Sequence, residues 1–300
     1  MACLLPGLAD ELQLLIIDAI HDLDALDNPD SQSCPKTLLN LSTTCLQYRA
    51  LLRLKLFDTA TLRNTIISAA SIHALAASEY AENVRHIQFK GSIDIRKFSA
   101  AMDDVICSRG GSIDVDEYQR AAAAVLLPRQ VHDILSNLGL FANLDTLTVC
   151  FDVGLTWWPQ HPQLHLLLEE EKTHHWMILF KKTAEALATN QQHQITTLRL
   201  LEVVPTPHCS SSNTLYSTAG RFFESIESLY VTFKKDVSQG CDLDTSYPRH
   251  FRISMFEFFS GYLQAGKHVR FGQKEWRVDS DGQNKVDIFN SIVDLSLLMW

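Results

Sequence analysis

Leu144-Asp145-Thr146-Leu147-Thr148-Val149 decides how the rest of the chain is read. Apolar residues stand at its first, fourth and sixth places. The last two alternate with a β-branched polar residue, which suits a strand with one buried face. The same spacing recurs at Val84, Ile87 and Phe89; at Ile195, Leu198 and Leu200; at Ile226, Leu229 and Val231; and at Ile292, Leu295 and Leu297. Phe57, Ala60 and Leu62 form a weaker copy. Helical periodicity precedes several copies. Val131, Ile134, Leu135 and Leu138 make an apolar stripe, Gly139 is placed to end the helix, and Leu144 then opens the strand. Leu164, Leu167, Leu168, Ile178, Leu179, Thr183 and Leu187 predict a long helix before the copy at 195. Leu215, Ala219, Phe222 and Phe223 predict one before 226.

Helix–strand units of this kind cannot bury their own apolar faces and must stack on neighbours. The pattern thus resembles a leucine-rich repeat, and the expected fold class is α/β with an irregular helix–strand array over residues 58–300. Regular leucine-rich repeats run about 20–29 residues. Here the copies starting at 84, 144, 195, 226 and 292 are 60, 51, 31 and 66 residues apart, and Asp152 takes the place of the repeat's fixed Asn or Cys. The array therefore carries insertions; an unrelated α/β domain with a mixed sheet is the other architecture the pattern allows. Residues 91–116 and 236–250 are polar and bear Gly and Ser, so surface loops are expected there, with target contact as their role.

The first 57 residues read as a separate, small helical module. Leu8, Leu12, Leu15, Ile16, Ala19, Ile20 and Leu23 form one apolar stripe, with Asp10 and Glu11 in the first turn. Asn28-Pro29-Asp30-Ser31 is turn chemistry. Helical spacing resumes at Leu38, Leu41, Cys45, Tyr48, Leu52 and Leu56, and a helix break is expected at Ser42-Thr43-Thr44, with one of them as N-cap. A unit this small is marginal alone and should lean on the array or on a partner.

The pieces Leu8 to Ile20, Thr37 to Arg49 and Leu56-Phe57 to Leu62, in that order, resemble the F-box of fungal F-box proteins. The resemblance spans roughly residues 5–62. It departs from the family at Ala9, where a Pro is usual, and at Leu46, where an Arg is usual after the Cys. It implies a substrate receptor of a cullin-RING ubiquitin ligase that docks on a Skp-type adaptor. The implied adaptor surface is Pro6, Leu8, Leu12, Leu15, Ile16, Leu38, Leu41, Cys45 and Tyr48. A protein target of unknown identity would be held by the array. The departures leave a second possibility open: a non-ligase binding or scaffold protein with a degenerate F-box.

Composition narrows the partners. The formal net charge is −9, which disfavours nucleic acid and anionic membranes as main partners. No Lys or Arg occurs before Lys36, so a secretory signal is not expected, and no apolar run approaches membrane-spanning length. Seven Cys without a C-x-x-C pair fit reduced thiols inside a cell, in cytoplasm or nucleus.

No catalytic residue, metal or cofactor is expected. His161, His165, His174 and His175 lie close together, but Pro162 separates the first two, and a solvated helix face is the simpler reading. Asp94, Asp103, Asp104, Asp114, Asp116 and Glu117 lack the spacing of a calcium loop and read as acidic surface. Trp157-Trp158 reads as packing at the core or its rim. No nucleophile elbow, phosphate loop or dinucleotide fingerprint occurs, so the chain is not expected to be an enzyme.

Overall fold

The computed structural model describes residues 55–108, 110, 114–153, 178–190, 194–203, 225–233, 267–271 and 274–277, with Leu15, Ile17, Asn40, Thr43, Leu52, Arg53 and His175 as single positions. Seven strands make one sheet: β1 (Thr59–Arg63), β2 (His86–Ile93), β3 (Thr146–Val153), β4 (Thr197–Val203), β5 (Ser228–Phe233), β6 (His268–Phe271) and β7 (Lys274–Arg277). Their spatial order is their sequence order. The first six are parallel, and β7 returns antiparallel to β6. Between β1 and β3 lie α1 (Ile66–Ala76), after β1, and then α2 (Ile95–Ser108), α3 (Val115–Leu126) and α4 (Arg129–Leu135), after β2. Residues 178–188 are helical ahead of β4.

The repeated hexapeptide explains the sheet. Each strand from β1 to β5 begins at the third place of a copy, so the fourth and sixth places share one face. Ala60, Ile87, Leu147, Leu198, Leu229 and Val269 fall in one register row, and Leu62, Phe89, Val149, Leu200, Val231 and Phe271 in the next. The first-place residues Val84, Leu144, Ile195 and Ile226 are buried as well. Helix residues such as Ala69, Phe98, Met102, Leu126, Ile134 and Leu187 belong to the same apolar core. The helices thus cover the apolar face of the sheet, as expected when consecutive parallel strands advance in one direction with crossovers of one hand.

The units repeat in their backbone hydrogen bonds too. The carbonyls of Asp58, Arg85, Asp145 and Thr196 hold the second place of successive copies. Each accepts two consecutive N–H groups from the next unit, at 2.7–3.1 Å. The Glu227 carbonyl continues the series by accepting from His268 N–H at 2.8 Å. Every strand start is therefore fixed to the one before it, whatever the length of chain between.

Asparagines add side-chain ties across the units. Asn190 is buried; its Oδ1 accepts the Leu138 N–H at 2.7 Å, and its Nδ2 donates to the Leu135 and Leu187 carbonyls. Asn64 accepts the Ser92 N–H at 2.9 Å and donates to the Ser92 and Leu126 carbonyls at 2.8 and 3.0 Å. Asn143 Nδ2 donates to the Glu82 carbonyl at 2.6 Å. Gly91 lies on the core face of β2 where its register partner Phe151 presses closest. A Cβ there would stand 2.7 Å from Phe151 Cδ1 and 2.9 Å from Leu179 Cδ2.

Several expectations need correction. Residues 91–116 are not a loop: β2 runs to Ile93, α2 follows, and α3 begins at Val115. Asp94 and Asp114 start those helices, accepting the N–H groups of Lys97 at 3.3 Å and Glu117 at 2.7 Å. Both are exposed, as expected of acidic surface, and serve as helix caps as well. Gly139 does not end α4; Ser136 is its C-cap, and Gly139 lies inside a 3-10 turn at Leu138–Leu140. Thr43 is helical, and its hydroxyl donates back to the Asn40 carbonyl at 2.7 Å rather than capping a helix start. Strands β6 and β7 were not expected, because Gly266 holds the first apolar place ahead of Val269 and Phe271. The copy at 292–297, the loop at 236–250 and the stripe at 215–223 lie outside the described residues.

Candidate functional site

The third and fifth places of each copy point away from the helices and build the second face of the sheet. One row reads Thr59, His86, Thr146, Thr197, Ser228 and His268, and the next reads Thr61, Gln88, Thr148, Arg199, Tyr230 and Arg270. Arg277 and Glu275 on β7 extend the two rows. Arg63, Lys90 and Cys150 follow on the side toward the strand C-termini. Where the helix-covered face is apolar in both rows, this one is polar throughout the same span.

His86 bridges β1 and β3. Its Nδ1 lies 3.4 Å from Thr59 Oγ1 and its Nε2 2.8 Å from Thr148 Oγ1. Burial, helped by the positive charge of Arg199 and opposed by Asp145, lowers its pKa from 6.5 to about 4. The imidazole is thus neutral at pH 7 and serves as a hydrogen-bonding link. Gln88 and Thr148 are buried, and Gln88 Oε1 has no hydrogen-bond partner.

Arg199 on β4 and Arg270 on β6 flank Tyr230 on β5. Their guanidinium carbons lie 5.4 and 6.0 Å from the ring centroid, within cation–π range. Arg199 Nε is buried without a hydrogen-bond partner. Glu275 is the register partner of Arg270, while the register partners of Arg199 are Thr148 and Tyr230. At the far end of β4 the register slips between Leu200 and Val203. Glu202 sits in that bulge at φ 56°, where its N–H donates to Thr232 Oγ1 at 3.1 Å and its Oε2 accepts from Cys150 Sγ at 4.0 Å.

Of the nine residues expected to meet an adaptor, Leu15 alone is described. It is helical and 63% exposed, whereas Ile17, two residues on, is buried. Pro6, Leu8, Leu12, Ile16, Leu38, Leu41, Cys45 and Tyr48 lie outside the described residues. So do His161, His165, His174, Trp157 and Trp158. His175 is not on a solvated helix face: it is 1% exposed, with its ring 4.0 Å from that of Phe98. Among the described residues no three His, Cys, Asp or Glu side chains gather to hold a metal ion, and no helix is long and apolar enough to cross a membrane.

The polar face is the feature that reading for apolar spacing passed over. Its signal was present at the intervening places of each hexapeptide, which hold Thr59 and Thr61, His86 and Gln88, Thr197 and Arg199, and Ser228 and Tyr230. No family model, curated protein or solved structure matches the chain.

Proposed function

We propose that this chain is a non-enzymatic substrate receptor of a cullin-RING ubiquitin ligase. In this reading residues 1–57 form an F-box-like module that docks on a Skp-type adaptor. The sheet and its helices act as a leucine-rich-repeat-like array that holds a protein target. Catalysis would be geometric: the receptor raises the effective concentration of the target near the ligating machinery and makes no bond itself.

The observation that carries the reading is the exposed Leu15 within the ordered three-piece resemblance. A large aliphatic side chain 63% exposed on a helix that also buries Ile17 is what an adaptor-docking helix offers. The polar second face supports the other half, since it presents side chains from six parallel strands in continuous rows.

Co-expression with a Skp-type adaptor and size-exclusion chromatography tests the proposal. A stoichiometric complex is expected, lost in Leu15→Asp, whose exposed position leaves folding intact. Leu12→Asp/Ile16→Asp should abolish it too. A well-folded wild-type chain that elutes without adaptor refutes the ligase reading. That result would favour the second reading, a scaffold with a degenerate F-box, for which Ala9 and Leu46 are the sequence argument.

A further inference from the structure

The second face of the sheet is locally basic in an acidic chain. Among the described side chains five cations sit on it, Arg63, Lys90, Arg199, Arg270 and Arg277, against the carboxylates of Glu202 and of Asp145, which accepts from Thr146 Oγ1 at 2.7 Å. The excess is positive, while the formal net charge of the whole protein is −9. Of the other described carboxylates, Asp94 and Asp114 cap helices, and Asp133 and Glu185 pair with Arg129 and Lys182 on the helix layer.

Within that face, Arg199 is the cation least opposed. No carboxylate holds a register place beside it on β3 or β5. It forms no ion pair among the described residues, and its Nε is buried with no hydrogen-bond partner. Its guanidinium is held over Tyr230, and Arg270 reaches the same ring from β6. This packing fixes two positive charges in place and lowers the entropy lost when a ligand engages them. The field of Arg199 reaches as far as His86, two strands away.

We propose that the Arg199–Tyr230–Arg270 cluster anchors an acidic peptide segment of the partner protein, bound in extended form across β4, β5 and β6. The inference deepens the receptor reading, on which it rests for the view that this face is where a target binds. Neighbouring strands lie about 4.8 Å apart, so β4 and β6 are separated by about 10 Å. An extended peptide covers that distance in about three residues. The expected ligand therefore carries two carboxylates two to four residues apart, one for each guanidinium.

The test is selection from a random twelve-residue phage-displayed peptide library against the full-length protein, followed by fluorescence anisotropy of the selected peptides. Enrichment of Asp and Glu at least twofold over the starting library is expected, with the two-to-four spacing. Arg199→Gln should weaken binding at least tenfold. Arg270→Gln, at an exposed position, should do so by several fold and guards against a folding defect in the first variant. Arg129→Gln on the helix layer should have no effect. A selected pool that is not acidic, or acidic peptides bound equally by Arg199→Gln and Arg270→Gln, overturns the proposal. So does an oligothymidine that competes with the same dependence on both arginines. Adaptor binding is read separately: acidic selection without an adaptor complex would sink the receptor reading alone, and an adaptor complex without acidic selection would sink this inference alone.

Discussion

Replacing Asn190 with Ala removes a buried tie between two units 52 residues apart in sequence. In the wild type, Oδ1 accepts the Leu138 N–H at 2.7 Å, and Nδ2 donates to the carbonyl of Leu135, the last residue of α4. Leu135 and Leu138 are 0% and 1% exposed, so water is poorly placed to replace either bond. The Leu187 carbonyl is less affected, because it also accepts the Asn190 backbone N–H at 3.1 Å. Two orphaned backbone groups remain. Each costs about 1–3 kcal/mol, which gives a loss of about 2–6 kcal/mol. With a urea slope on the order of 3 kcal/mol/M, the unfolding midpoint falls by about 1 M. Asn143→Ala is the matched control. It removes the 2.6 Å bond from Asn143 to the Glu82 carbonyl at an exposed site, where water takes over, so it should cost about 1 kcal/mol or less. Asn190→Asp keeps the acceptor for Leu138 but turns an oxygen toward the carbonyls, so at pH 7 it should not rescue. Urea unfolding of the four proteins, followed by circular dichroism, decides the matter. If Asn190→Ala costs no more than Asn143→Ala, burial is not what gives the tie its strength, and the argument fails.

Other perturbations test other parts of the structure. Gly91→Ala places a methyl group against Phe151, itself wedged between Phe89 and Phe180 at 6.1 and 5.9 Å, and should cost about 1–3 kcal/mol in the same unfolding assay. His86 has a folded pKa near 4, below its unfolded 6.5, so the unfolded chain takes up the proton first. Its contribution is therefore complete above pH 6.5 and is lost as pH falls from 6.5 to 4, by about 2–3 kcal/mol. His86→Gln should flatten that stretch of the stability profile, and identical profiles for the two proteins would contradict the assignment. Glu202→Gly relieves a left-handed conformation and should raise stability by about 0.5–1 kcal/mol, less the greater freedom Gly brings to the unfolded chain. A loss there would mean that the contact of Glu202 with Cys150 outweighs the strain.

The sheet was legible where apolar side chains repeat. The pattern located β1 to β5 because its fourth and sixth places must face the helices, and Ile178, Leu179 and Leu187 marked the helix ahead of β4. It failed at β6, where Gly266 breaks the hexapeptide although Val269 and Phe271 keep their register. It failed at β7 because a hairpin return needs only the two-residue Gly272-Gln273 link, which the search for helix–strand units ignores. Helix α2 was hidden by composition: Ser and Asp look like loop chemistry until Phe98 and Met102 are seen to share one buried side. The tie made by Asn190 was invisible in principle, since it joins residues whose proximity depends on the stacking itself. His175 misled for the opposite reason, its His and Glu neighbours in sequence suggesting solvent while its ring packs on Phe98.

The uneven spacing of the units has a consequence for how this protein divides its labour. From Thr59 to His86 is 27 residues and from His86 to Thr146 is 60, yet both steps advance the sheet by one parallel strand in unbroken register. The added chain is absorbed as α2, α3 and α4, beside the same apolar rows that α1 covers. Insertion on that side costs little loop entropy, which grows only slowly with length. The carbonyls of Asp58, Arg85, Asp145 and Thr196 still fix each strand start to the last. The polar rows on the other face are therefore insulated from changes in helix length. Substitutions at their third and fifth places alter what the face presents without disturbing the apolar places that hold the sheet. If that separation is real, Arg199→Gln changes peptide binding with little effect on unfolding, while Gly91→Ala and Asn190→Ala change unfolding with little effect on the peptides selected. A variant set in which stability and binding fall together would show instead that the two faces are one coupled unit.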